Sequence, residues 1–356
     1  MHSLILAAML ALNLGPMGPD APAREPQLAA SGSTVALTFG AGSAIYFPVS
    51  HDAGRTFSVP VKVEQASNVV LTHHRGPRIA ISGRAIVISA ITSKTASMDA
   101  HAHGAGPDGD LFVWRSTDGG KTWSQAIRVN DVPNAPNEAL HTLAADAKGN
   151  LFVAWLDHRP GAEGKTLYGA RSADAGATWS KNFLVYQSPE GSICECCHPS
   201  SAFAPDGELL VMWRNWLDGS RDMYLARSRA GAAFGPAEKL GMGTWKLKGC
   251  PMDGGGVVIS QQRVVTAWRR EGTVYLAEPG GHETALGQGK DVTVAAGPKG
   301  AYVAWVSASG VELRAPGAAP VTLSNDGAFP AITVLSDGAV VAAWQDGDSI
   351  ATRRLT

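Results

Sequence analysis

Three of the four cysteines in this chain fall within one pentapeptide, Cys194-Glu195-Cys196-Cys197-His198, and the fourth follows in Lys248-Gly-Cys250-Pro-Met252-Asp253. Thiolates with His198 and Met252 form a soft donor set suited to copper or zinc. Cys194-x-x-Cys197-His198 also has the spacing of a c-type haem attachment site. In an exported protein, the same even number of cysteines would instead close two disulfides. Neighbouring Cys196 and Cys197 could pair with each other only through a strained ring. One of them is therefore expected to bond Cys250 and the other Cys194, stapling two loops. With disulfides there is no cofactor; copper or zinc is the alternative. A second chemistry is written in His73-His74-Arg75, Arg78, Asp99, His101, His103, Glu138, His141, Asp157-His158-Arg159, Arg214, Arg269-Arg270 and Asp253. Guanidinium forks grip carboxylates, and a carboxyl such as Glu195 or Glu138 can serve a glycosidase mechanism.

The elements that position these residues repeat. An eight-residue phrase occurs three times, as Ser50-His-Asp52-Ala-Gly-Arg-Thr-Phe57, Ser116-Thr-Asp118-Gly-Gly-Lys-Thr-Trp123 and Ser172-Ala-Asp174-Ala-Gly-Ala-Thr-Trp179, with a shortened relic at Ser228–Phe234. Ser and Asp cap a tight turn, Gly allows positive φ, and the aromatic ring pins the turn to a sheet. Beneath this runs a second repeat of short apolar strands, most ending in an aromatic, at 34–39, 85–90, 151–155, 209–213, 263–268, 302–305 and 340–344. A small-residue strand and a Gly turn precede each, and a third strand follows most of them. Strand, turn, strand, loop, strand, Asp turn, strand is one four-stranded blade.

The phrase resembles the Asp-box of sialidase-like (BNR repeat) β-propellers, and that resemblance covers nearly the whole chain. It implies an all-β propeller in which Asp52, Asp118 and Asp174 are structural. The strand count favours seven blades; six, the number in the sialidases it resembles, is the alternative. The last unit stops after three strands at 349–355, so the segment near Arg24-Glu-Pro-Gln27 is expected to supply the missing outer strand. Loops leading into inner strands, and loops joining second to third strands, share one face. Seven of the ten histidines fall in those loops, which makes that face the candidate functional one. The resemblance further implies a carboxylate clamp of Arg78, Arg214 and Arg269 and an acid–base at Asp99; the loop positions of His74, Arg75, His141 and Asp253 make them the expected substrate-binding residues. No tyrosine stands where the sialidase nucleophile would: Tyr302 begins a second strand, and Tyr168, Tyr224 and Tyr275 lie in third strands. Cys-Glu-Cys-Cys followed a blade later by Cys-Pro-x-Asp-Gly is similar to a group of bacterial Asp-box propellers, a resemblance that carries no activity with it.

Thirty Lys and Arg against 31 Asp and Glu leave no basic patch for nucleic acid or an anionic membrane. The apolar run Leu4–Leu14, followed by Ala21-Pro-Ala23, reads as an export signal over residues 1–23, although Met1-His-Ser3 lacks a basic residue. The run is too short to span a bilayer. A single propeller domain over 24–356, monomeric and periplasmic or secreted, is expected. Its function is expected to be glycan-directed, of exo-α-sialidase type. Its expected partner is a glycan or small-molecule ligand; a metal-binding propeller or a non-catalytic interaction scaffold is the alternative.

Overall fold

The computed structural model describes residues 12–94, 108–229 and 231–356, and every regular element among them is a β-strand. Seven antiparallel sheets result. Blade one contains Ala23–Ser31, Thr34–Ala41, Ala44–Phe47 and Val61–Gln65; blade two contains Arg78–Ser82, Ala85–Ser93, Asp110–Ser116 and Ile127–Arg128. Blade three runs through His141–Ala145, Leu151–Asp157, Thr166–Ser172 and Phe183–Tyr186, and blade four through Ser200–Phe203, Leu209–Arg214, Met223–Ser228 and Glu238–Lys239. Blade five is Gly256–Ser260, Arg263–Arg270, Thr273–Ala277 and Thr284–Gln288, and blade six is Lys290–Gly297, Gly300–Ser307, Gly310–Arg314 and Val321–Ser324. Blade seven takes Ala328–Val334, Val340–Asp346 and Ser349–Leu355 from the end of the chain. Successive inner strands touch around a closed ring, so the molecule is a seven-bladed β-propeller.

The ring closes with a different segment from the one expected. Leu12–Leu14 pairs antiparallel with Ile350–Thr352 as the outer strand of blade seven, while Arg24–Gln27 belongs to the inner strand of blade one. Outer strands need only one face apolar, so the Leu-Asn-Leu triplet suffices. The innermost position selects the buried Ala23 and Glu25. The closing strand therefore lies inside the apolar run that reads as a leader.

The core sits between blades. Val211 and Trp213 of blade four pack with Phe152, Ala154 and Leu167 of blade three, and Ala304 and Val311 of blade six pack with Ala342 and Trp344 of blade seven. The second-strand aromatics Phe39, Trp155, Trp213, Trp268, Trp305 and Trp344 are all buried, as their repeat predicts.

The Asp-box turns hold that packing from the opposite rim. In each, the Ser hydroxyl accepts from the Gly backbone N–H four residues on, at 2.8–2.9 Å for Ser50, Ser116 and Ser172. The Asp carboxylate accepts from the Thr hydroxyl at 2.6–2.7 Å. The turn then plugs the gap to the previous blade: a Cβ on Gly120 would strike the Phe47 ring of blade one at 2.0 Å. At φ +88° that position also needs glycine's conformational freedom. The Thr hydroxyls hold the Asp52, Asp118 and Asp174 carboxyls well below the usual carboxylate range. A depressed native pKa gives stability that is full above pH 4 and is lost as pH falls through the native value. Asp118→Asn is expected to lower the urea midpoint at pH 7, with a difference from the parent that narrows in acid.

Candidate functional site

The loops leading into the inner strands meet at one end of the axial channel. A recurrent backbone device aims their side chains there. Glu25, His74, Ala139, Met252, Asp291 and Phe329 all have positive φ, between 48° and 64°, at or just before an inner strand. In blades one, six and seven the residue sits in a β-bulge, where register shifts between Arg24 and Gln27, Lys290 and Thr293, and Ala328 and Ala331. Bulges re-aim side chains, and strained non-glycine backbone clusters at functional sites.

His74 is the hub. Its Nε2 lies 3.0 Å from Asp291 Oδ1 of blade six, and its backbone N–H donates to Glu25 Oε1 of blade one at 3.1 Å. Its ring lies 4.5 Å from that of His198 before blade four and 5.2 Å from Phe329 of blade seven. Burial alone would depress His74, but the hydrogen bond and charge of Asp291, with Glu25 and Asp253 nearby, raise its pKa above the ordinary value. Burial alone would raise Asp291, but the hydrogen bond and charge of His74, with Lys290 and Arg269 nearby, together hold it low. Burial lifts Glu25 to about 7 and raises Asp253. His198 is pushed the other way, well below an ordinary histidine, by burial and by the charges of His74 and Arg78. Its Nε2 stands 3.1 Å from Gly255 O, a donor's geometry, which leaves Nδ1 as the lone-pair nitrogen, buried and without a partner. Below these rings the channel forms a cavity of about 260 Å³, lined by His74, Arg78 and His198 with hydroxyls from Thr142, Ser200, Ser201 and Thr293. A larger groove of about 540 Å³ opens between blades five and six, beside Arg263, His282 and Arg314, and holds none of these buried titratable groups.

The arginines expected to clamp a substrate carboxylate are engaged mainly by backbone, and Arg269 Nε also stands 3.7 Å from Asp253 Oδ2. Arg214 donates from Nε and Nη2 to Asp253 O, from Nη2 to Arg269 O at 2.9 Å, and from Nη1 to Arg221 O at 2.6 Å. Arg269 Nη2 donates to Pro251 O at 2.6 Å, and Arg78 donates to the carbonyls of His74 and Pro77. Buried loop carbonyls need donors, and a guanidinium supplies five. Arg75, fully buried, donates from Nε to Glu138 O at 2.7 Å, and His141 is bonded to Ser89 Oγ at 2.9 Å, away from the hub. Asp253 stands inside the cluster, its carboxylate accepting from the backbone N–H of Asp291 and Gly255. Glu195 is exposed. Asp99, His101 and His103 lie outside the described residues.

The cysteines converge without pairing. Cys194 Sγ is 3.8 Å from Cys196 Sγ and 3.5 Å from Cys197 Sγ, well beyond a disulfide bond of about 2.05 Å. All three are buried, and Met252 packs against them. Cys250, expected to bridge the two loops, is exposed and stands apart, because Met252 occupies the contact instead. The expected disulfide pairing is thus not the arrangement found. Nor does the pentapeptide fit haem: Cys194 and Cys197 face each other in a closed cluster, while His198 turns toward His74 and Gly255.

Sequence reasoning missed Glu25, Asp291 and Arg221. Arg221 lies in a second-to-third-strand loop, so the loop rule already applied elsewhere could have found it, whereas Asp291 lies inside the bulged start of the inner strand of blade six. Glu25 was hidden by the assignment of its strand to the outer edge.

Gly254 locks the blade-five loop onto the cysteine loop: a Cβ there would lie 1.8 Å from His198 O. Neither backbone can yield without parting the two blades. Gly254→Ala is expected to cost about 1–3 kcal/mol. It should also make Cys194, Cys196 and Cys197 reactive to a thiol reagent under native conditions, which a timed thiol titration checks.

No protein-family model matches the chain, and no curated protein sequence matches it. Solved structures do match. The α-L-arabinanase of Penicillium chrysogenum, complexed with arabinobiose, is 14% identical, with 97% of this chain and 98% of that one covered and a TM-score of 0.56. An ulvan lyase of polysaccharide lyase family PL25, bound to -[GlcA(1-4)Rha3S]-, is 13% identical, with 97% and 96% covered and a TM-score of 0.60. The NanB sialidase of Streptococcus pneumoniae is 11% identical, with 98% and 70% covered and a TM-score of 0.55. These likenesses show a β-propeller fold shared with an arabinanase, a polysaccharide lyase and a sialidase. At such identities they define the fold, and the chemistry has to be argued from the site.

Proposed function

We propose that this chain is a glycan-directed propeller that performs acid–base chemistry on a single sugar ring held in the axial cavity. The observation that carries the reading is a pair of close, tilted histidine rings on that cavity whose pKa values are driven apart. His74 is raised by its carboxylate partners and His198 is lowered by burial, with ring centroids 4.5 Å apart. Such divergence assigns an acid and a base. His74 holds the proton to be donated, and His198 Nδ1 offers the lone pair. Asp291 and Glu25 act through His74 as positioning residues. The hydroxyls of Thr142, Ser200, Ser201 and Thr293 suit hydrogen bonding to sugar hydroxyls. A cavity of about 260 Å³ falls just below the ~300–1,000 Å³ of sites for larger ligands, matching one ring rather than a chain. The glycan complexes of the arabinanase and the ulvan lyase lend support to a glycan as the ligand class.

The exo-α-sialidase form of this reading needs guanidiniums free to grip a carboxylate, and the carbonyl bonds of Arg78, Arg214 and Arg269 favour a hydrolase or lyase without that clamp. Export and a monomeric state belong to the same proposal. N-terminal sequencing of secreted protein would read whether Leu12–Leu14 is retained, since cleavage after Ala23 would leave the edge at Ile350–Thr352 unpaired.

The test is turnover by the full chain of arabinan, a uronate-containing polysaccharide and a fluorogenic sialoside. Turnover of at least one is expected, lost in both His74→Ala and His198→Ala, with a bell-shaped dependence of kcat/KM on pH. Turnover of the sialoside alone, lost in Arg78→Ala, would restore the sialidase form. No turnover of any of the three would remove the enzymatic reading.

A further inference from the structure

We propose that Cys194, Cys196 and Cys197 hold one cuprous ion in a trigonal thiolate site behind the loop leading into blade four. This goes beyond the glycan reading and does not depend on it.

The three sulfurs all lie within 4.8 Å of one another, and all three residues are buried. An ion about 2.3 Å from each of three sulfurs sets them about 4 Å apart, so the cluster needs only a small contraction or expansion to close on a metal. The identity of the metal follows from what is missing from the donor set. Among the described residues, no histidine, aspartate or glutamate joins the three sulfurs within that distance. Soft sulfur donors suit Cu(I), zinc and iron–sulfur clusters alike, but structural zinc is almost always four-coordinate, so a site of three sulfurs favours Cu(I). The neighbour packed against the cluster is the Met252 side chain, soft and apolar.

A second observation points to an anionic centre at this place. Arg221 Nη1 stands 3.2 Å from Cys194 Sγ, while its Nε is buried without a partner. The Arg75 side chain is fully buried, and neither of its terminal nitrogens has a hydrogen-bond partner. Its closest carboxylate, Glu138 Oε2, is 3.8 Å away, and that carboxyl also holds Lys165 Nζ at 2.9 Å. The Arg221 charge beside neutral thiols would lack a counter-charge, which is costly in a buried setting, and Arg75, whose carboxylate partner is shared with Lys165, adds positive charge near Cys196 and Cys197. Around a metal thiolate both charges are matched. Three neutral thiols and one Cu(I) give a complex of charge minus two and release three protons to solvent, with no electron transferred. The two arginines balance that charge.

The test uses the full chain, purified without oxygen and titrated with Cu(I) against bicinchoninate as competing chelator. One Cu(I) per chain should be retained, with an X-ray absorption shell of sulfur and no nitrogen. Cys196→Ser should lose stoichiometric retention and Cys250→Ser should keep it. Arg221→Met should weaken binding about 10–100-fold, as loss of a partner behind the ligands does. Copper fully stripped by the chelator, preferential retention of zinc, or a mass deficit of one disulfide in the anaerobic protein would each overturn the proposal. Should Cys196→Ser fail to fold, the absorption spectrum of the parent decides: a shell of nitrogen or oxygen overturns the site.

Discussion

Glu25→Gln is expected to make the protein more stable at pH 8 by about 3 kcal/mol and to leave it unchanged near pH 4. Folded Glu25 keeps its proton up to about pH 7, because it is wholly buried, whereas the unfolded chain releases it near 4.5. Between those values the native state binds more protons than the unfolded state, so stability falls as pH rises. Glutamine keeps the shape and cannot ionise, so the decline disappears. His74 adds a slope of the same sign: its raised pKa gives stability that is full below its unfolded value and is lost as pH rises through the folded one. Urea unfolding at pH 4, 6 and 8 measures both. Glu25 also helps to keep His74 protonated, so the alkaline limb of the kcat/KM profile should move to lower pH in Glu25→Gln. A pH-independent difference in stability between parent and variant would show that Glu25 is not the buried acid described.

Trp213→Ala should cost about 3–5 kcal/mol, the range for truncating a large core aromatic. Trp213 is 0% exposed and has its ring centroid 4.5 Å from that of Tyr186 and 6.4 Å from that of Tyr224. It packs with Leu156 and Leu167 of blade three and with Val211 of its own blade, so the cavity would open at a blade junction. The next residue, Arg214, ties together the carbonyls of Asp253, Arg221 and Arg269, so the loss should also loosen the site. Val59→Ala, at a position 84% exposed, should stay within about 0.5 kcal/mol. Equal urea midpoints for the two variants would deny Trp213 its place in the core.

The positive-φ residues around the channel mouth link fold to chemistry. A regular strand would alternate its side chains between the two faces of its blade. A bulge at Glu25, Asp291 or Phe329 turns one residue toward the axis, where His74 meets all three. Seven blades thereby supply a small, dry cluster of charges that no single blade could shield from water.

Local sequence determined a good deal by itself. Ser, Asp, Gly, Thr and an aromatic at fixed offsets close a turn through contacts within eight residues, so the three Asp-boxes were legible without a fold. Alternating small and large apolar residues bounded by Gly turns marked the strands, their repeat favoured seven blades over six, and strand direction told which loops share a face. Tertiary structure decided what depends on partners distant in the chain. Leu12–Leu14 became the closing strand because only ring closure leaves an edge at Ile350–Thr352 to be filled. Arg78, Arg214 and Arg269 carry the charge of a clamp in sequence, yet the fold gives all three backbone carbonyls as partners and sets Arg269 against Asp253 as well. The cysteines kept apart from Cys250 and met each other because Met252 filled the contact between their loops. Glu25 acquired a pKa near neutrality only because residues of blades two and seven, distant in the chain, bury it.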